Sequence, residues 1–125
     1  PFPPSSFDMV VSVGVIHHLL DFRRAPQEIH RVLKPGGEAW LYEVIMDVEW
    51  SEVVAALKEM GVPLFPTCFL FFIHRVLSRM VGGRRLVGMR KEDLEDLRVP
   101  KGEGFSWKME RKGPLLKIVL RKGKR

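Results

Sequence analysis

The sequence has no asparagine, one glutamine (Gln27) and one cysteine (Cys68) in 125 residues. A lone cysteine excludes an internal disulfide, and the His and Cys residues lack the spacing of a structural zinc site, so no metal is expected. A reducing, cytoplasmic setting is the natural expectation. Scarce Asn and Gln beside 29% charged residues is a balance reported for thermophilic proteins, and hints at such a source. Long apolar runs are missing too. The most apolar stretch, residues 62–73, is broken by Pro63 and Pro66 and followed by His74 and Arg75, short of the roughly 20 residues that a spanning helix needs. No charged-then-apolar leader follows Pro1, so no secretory signal is expected; this start fits a trimmed initiator Met or a piece of something longer.

What is present bounds the class. A 46% hydrophobic composition supports one modest core and a single domain over residues 1–125. The net charge of +6 permits contact with nucleic acid, anionic lipid or acidic partners without selecting among them. A basic tail with few interleaved aromatics offers nucleic acid nothing beyond charge, so that partner is not expected.

Residues 7–14 (FDMVVSVG) read as a buried strand of the parallel-sheet kind, entered from a Pro/Ser turn and left at a glycine. Asp21 offers an N-cap to a helix over 25–33, whose apolar stripe is Ala25, Ile29, Val32 and Leu33, with Pro26 in its first turn. Lys34-Pro35-Gly36-Gly37 stops that helix and supplies a cation at its C-terminus. A second strand follows over 38–45 (EAWLYEVI), giving a βαβ unit with a crossover long enough for a parallel pair. Residues 50–60 form an amphipathic helix capped by Ser51 and stopped by Gly61. Residues 64–81 form an apolar helix closed by Gly82-Gly83. A short helix over 92–97, a loop over 100–104 and an antiparallel hairpin (105–111 and 115–120 around Lys112-Gly113-Pro114) complete the chain before a basic tail.

The run PFPPSSFDMVVSVGVIHHLLDFRRAPQEIHRVLKPGGEAWLYEV resembles the middle of the small-molecule-type class I S-adenosylmethionine-dependent methyltransferases, from the loop before the fourth strand through the fifth. The match joins FD at a strand start, His-His-Leu after it, and Glu-Ile-x-Arg-Val-Leu-Lys-Pro-Gly-Gly at the next helix end. RKEDLEDL and PLLKIVLRKG resemble the family's last helix and closing strands. The resemblance implies an α/β fold: a truncated Rossmann-like methyltransferase sheet with strands equivalent to the fourth to seventh, the last antiparallel, and a helical insertion. Residues 1–45 would be the βαβ core, 46–88 the variable helical insertion or cap, and 89–125 the last helix and hairpin.

It also implies a site. Ser12, Val13, Gly14 and Val15 would run along the methionine portion of S-adenosylmethionine, with His17 and His18 beside the transferred methyl and His18 in contact with cofactor. A neutral imidazole there could orient a nucleophile or take its proton. Trp50, Phe69, Phe72 and His74 of the insertion are the candidates for contact with a small-molecule or lipid-like acceptor. Glu43 and Asp47 stand near the same strand ends, whereas Asp8 sits at the opposite end and reads as structural. The family's Gly-rich loop and its two cofactor-reading acidic residues are not in these 125 residues, and neither Gly36-Gly37 nor Gly82-Gly83 stands between strand and helix to replace them. No measurable cofactor binding, and so no activity, is therefore expected of this chain alone, with a non-catalytic interaction module as the alternative.

Two surfaces point to partners. The open edge of strand 7–14 is a template for a second copy or a separate N-terminal half. The stripe Phe69, Phe72, Ile73, Val76, Leu77 and Met80 spaces like the core-packing face of one helix, and with Arg75, Arg79, Arg84 and Arg85 flanking it the alternative is a helix at a membrane interface or over a greasy substrate.

Overall fold

A computed structural model describes residues 2–80, 88–97 and 104–124. The helix stop at Gly82-Gly83, the flanking Arg84 and Arg85, and residues 98–103 lie outside them. The elements run β1 (Phe7–Val13), two single 3-10 turns (Ile16–His18 and Phe22–Arg24), α1 (Ala25–Val32), β2 (Leu33–Val44), α2 (Trp50–Glu59), α3 (Leu64–Met80), α4 (Lys91–Glu95), β3 (Phe105–Lys112) and β4 (Leu115–Lys122).

The four strands make one sheet in the order β1-β2-β4-β3, β1 and β2 parallel and the other pairs antiparallel. This is the expected α/β sheet with its antiparallel last strand, and β4 rather than β3 lies against β2. The reason is the hairpin: Gly113 takes φ +56° as the first of two loop residues, as a type II′ turn requires, and folds β4 back between its neighbours. Register assigns the faces. Ala39 and Leu41 of β2 pair with Leu120 and Ile118 of β4, and all four are buried under α1 with Phe22 and Ala25. Residues of the other parity, Val11, Trp40 and Val119, pair across the opposite face. That face is far less covered: Met9, Val11 and Val13 are exposed, and Lys117 lies 4.6 Å over the Trp40 ring.

Three local expectations are corrected. Asp21 does not cap α1; it pairs with Arg24 at 2.9 Å on the surface, and Arg24 holds the N-cap position without a side-chain bond. Ser51 lies inside the first turn of α2, because the chain arrives extended at Glu49, whose carbonyl accepts the first helical bond from Glu52. The cation at the α1 C-terminus is Lys122, whose Nζ donates to the carbonyls of His30 (2.9 Å) and Leu33 (2.7 Å). Lys34 turns instead to Asp8 at 2.7 Å, both exposed, so Asp8 has a surface structural role of small energetic weight.

The strand expected over 38–45 starts earlier, at Leu33, because Lys34-Pro35-Gly36-Gly37 follows β1 as an irregular stretch of ladder: Phe7 pairs with Leu33 and Met9 with Glu38. A Cβ at Gly37 would stand 2.9 Å from the Asp8 carbonyl oxygen, so only glycine permits this approach. Gly61 stops α2 as expected. Its N–H reaches the Lys58 carbonyl (3.1 Å) while the Val62 N–H reaches Leu57 (3.1 Å), the paired bonds of a Schellman ending.

Candidate functional site

In an open α/β sheet the ligand side lies beyond the C-terminal strand ends, where β1 hands over to the Ile16–His18 turn and β2 ends at Val44. Two residues shape the handover. Gly14 adopts φ +62° and donates its N–H to the Tyr42 carbonyl at 2.7 Å, and open space surrounds the place where a Cβ would stand. Glu43 then draws the turn inward: Oε1 accepts the Ile16 N–H at 2.7 Å and Oε2 meets His17 Nδ1 at 2.7 Å.

This is a buried dyad. His17 is 7% exposed and Glu43 2%. With the carboxylate accepting at both oxygens, Nδ1 carries a proton, and in the neutral ring Nε2 presents a lone pair, since the bond at one ring nitrogen sets the tautomer. Among the described residues, Nε2 of His17 is the buried side-chain nitrogen or oxygen with no hydrogen-bond partner. Leaving such an atom unpaired costs about 1–3 kcal/mol, a cost that folding alone gives no reason to retain.

The expected site residues separate into two groups. Ser12, Val13, Gly14 and Val15 lie together at the strand end, and His18 is exposed with its ring 4.0 Å from that of His17. Val15, Leu19 and Leu20 make the surface of this loop apolar. A groove of about 650 Å³ opens beside it on the bare sheet face, with Val13, Gly14, Tyr42, Glu43 and Lys117 among its walls. The insertion residues stand elsewhere. Trp50 packs toward Phe71, with ring centroids 6.2 Å apart, Phe69 and Phe72 face outward, His74 is half-buried on α3, and none of the four lines the groove.

Glu43 is the residue that sequence reasoning undervalued. Its signal was parity: residues 39, 41, 43 and 45 alternate inward, so a carboxylate at 43 interrupts the buried stripe of Ala39, Leu41 and Ile45. Asp47 has a different duty. Its carboxylate accepts the backbone N–H of Lys91 at 2.9 Å and so caps the start of α4. His30 is half-buried on α1 rather than on the open surface, and burial, with Lys122 nearby, holds its imidazole below the usual range.

Comparison with known proteins agrees with the fold. Residues 1–41 match a family described as methyltransferase domain. A sterol 24-C-methyltransferase of Eremothecium gossypii is 31% identical over 101 residues, covering 76% of this chain and 27% of that protein. The protein named probable tRNA methyltransferase 9B of Bos taurus is 34% identical over 80 residues, covering 50% of this chain and 18% of its own length. A solved structure described as a SAM-dependent methyltransferase, possible histamine N-methyltransferase, from Thermotoga maritima superposes with a TM-score of 0.55 at 18% identity, over 98% of this chain and 59% of that one. The chain thus spans less than a third of either sequence relative. The match over the β1-to-β2 unit and the shared sheet point the same way: residues 1–41 carry the sequence pattern of a methyltransferase domain, and the chain has the fold of the class I S-adenosylmethionine-dependent methyltransferases.

Proposed function

We propose that this chain carries the methyl-side wall and the proton-accepting side chain of an enzyme that methylates a small or lipid-like molecule. The His17–Glu43 dyad, with its unpaired Nε2 beside the end of β1, carries the proposal. Gly14 supports it by leaving room against the strand end, where Ser12, Val13, Gly14 and Val15 would hold the methionine portion of S-adenosylmethionine. When bound, that cofactor supplies an electrophilic methyl group. His17 Nε2 is enclosed in this structure, so it reaches the acceptor's O–H or N–H only when the Ile16–His18 turn opens; it then takes the proton given up there, while Glu43 holds the ring in place and stabilises the imidazolium. The exposed His18, its ring tilted 42° against that of His17 with centroids 4.0 Å apart, orients the acceptor. The apolar loop surface at Val15, Leu19 and Leu20 favours a greasy acceptor.

The fit to the cofactor stops at its methyl end. Glu43, the buried carboxylate at these strand ends, is turned inward to Ile16 and His17 and is only 2% exposed, so it is not placed to take ribose hydroxyls. Calorimetry on the 125-residue chain should therefore detect no binding of S-adenosylmethionine at micromolar concentrations, and a micromolar affinity would overturn this assignment of roles. In the active enzyme, assayed with labelled methyl donor, His17→Gln should lower turnover by about 10²–10⁴-fold while leaving the KM for donor nearly unchanged. Unchanged turnover would remove His17 from the chemistry.

A second reading rests on β1. Its outer edge has no ladder partner among the described residues, and such an edge pairs with another chain. Sedimentation equilibrium should then find a dimer or a complex with a separate strand-bearing half; a stable, partnerless monomer would refute it.

A further inference from the structure

The outward face of α3 is strongly apolar. At 100° per residue Phe65, Phe69, Phe72, Val76, Leu77 and Met80 fall on one broad arc, and all six are exposed, Phe65 at 83% and Met80 at 77%. The inward side packs Leu64, Cys68 and Phe71 against the core, with His74 half-buried on the same helix. A helix apolar all round is stable only when something covers its second face. Seventeen residues give a rod about 25 Å long, and no helix among the described residues is long and apolar enough to cross a membrane. The cover therefore lies along the helix.

Charge selects the cover. Every charged residue between Glu59 and Glu92 is Arg or Lys. On α3 itself Arg79 is exposed at the margin of the apolar arc, next to Phe72 on the helical wheel, and Arg75 is held on the inner margin by a bond from its guanidinium to the Val48 carbonyl at 3.3 Å. A second copy laid α3 against α3 would bring these cations together with no carboxylate on either helix to answer them. An anionic bilayer surface answers both features: aromatic and aliphatic side chains enter the acyl boundary while arginines meet lipid phosphates.

We infer that α3 is a membrane-docking helix that lies in the plane of an anionic lipid surface, with Phe65, Phe69, Phe72 and Met80 inserted and Arg79 at headgroup level. The inference is independent of the reaction: it would hold for a catalytically silent chain.

The test is co-sedimentation of the 125-residue chain with vesicles of phosphatidylcholine alone or with about a third phosphatidylglycerol, at low and high salt. The expected result is at least tenfold greater partitioning onto the anionic vesicles, weakened by salt. The double substitution Phe65→Ser/Phe69→Ser should lower partitioning at least tenfold, and Arg79→Glu several-fold with loss of the salt effect. Both variants alter exposed positions, and an unchanged circular dichroism spectrum confirms that the fold is kept. The inference is overturned by equal partitioning onto neutral vesicles, by no partitioning, or by variants that bind as well as the parent. It is overturned equally if Phe65→Ser/Phe69→Ser converts a dimer to a monomer in the ultracentrifuge, which would make this face a contact between copies.

Discussion

Glu43→Ala is expected to cost about 3–5 kcal/mol, enough to unfold much of a marginally stable domain, whereas Glu43→Gln should keep the fold and silence the base. Alanine removes two buried acceptors together. The Ile16 N–H and both ring nitrogens of His17 are then left without partners in a place that water does not reach. Glutamine preserves the shape and one acceptor: its amide oxygen still takes the Ile16 N–H, but its amide nitrogen donates to Nδ1, so the ring proton moves to Nε2. The atom that presented a lone pair becomes a donor, and turnover in the active enzyme should fall about 10²–10⁴-fold with little change in unfolding midpoint. The tautomer can be read without turnover. The ¹⁵N shifts of the His17 ring should show a bare Nε2 in the parent and a bare Nδ1 in Glu43→Gln. Identical ring shifts in the two proteins would sink the tautomer argument, and a Glu43→Ala protein as stable as the parent would sink the structural one.

The sheet was legible because its signals are local. A β-branched run marks β1, two short runs joined by Lys112-Gly113-Pro114 mark the hairpin, and Gly61 and Gly113 make their turns with a positive φ. The caps were not legible, because their partners come from elsewhere in the chain. Lys122 reaches the end of α1 from the last strand, and Asp47 starts α4 from 44 residues away, while the nearby residues with cap chemistry, Asp21 and Ser51, find other surroundings. The same holds for the site. His17 and His18 stand out within eight residues of sequence that resemble a known motif, but their difference in burial depends on Glu43, which lies across the βα crossover. Only the tertiary fold decides that His17 is the ring held inside and His18 the one left outside.

Gly88→Val should be nearly as damaging as Glu43→Ala, acting through the end of β2. Gly88 takes φ +141°, a conformation closed to side-chain-bearing residues at a cost of about 1–3 kcal/mol, and a Cβ there would collide with the Val44 carbonyl and approach Met46 Cγ to 2.9 Å, for a similar further cost. The neighbouring Met89 is fully buried and clamps the end of β2: its N–H donates to the Val44 carbonyl at 2.8 Å and its own carbonyl accepts from Met46 at 3.0 Å. Displacing the Val44 carbonyl therefore moves the peptide next to Glu43. The expected result is a loss of about 3–5 kcal/mol in urea unfolding, with shifted His17 ring signals in whatever folded protein remains. Gly61→Ala is the control, since Gly61 has φ +67° and open space around its Cβ position, so strain alone should cost about 1–2 kcal/mol. If both variants unfold at the same urea concentration, the clash against Val44 does not exist, and Met89 is not the clamp that fixes the strand end beneath the dyad.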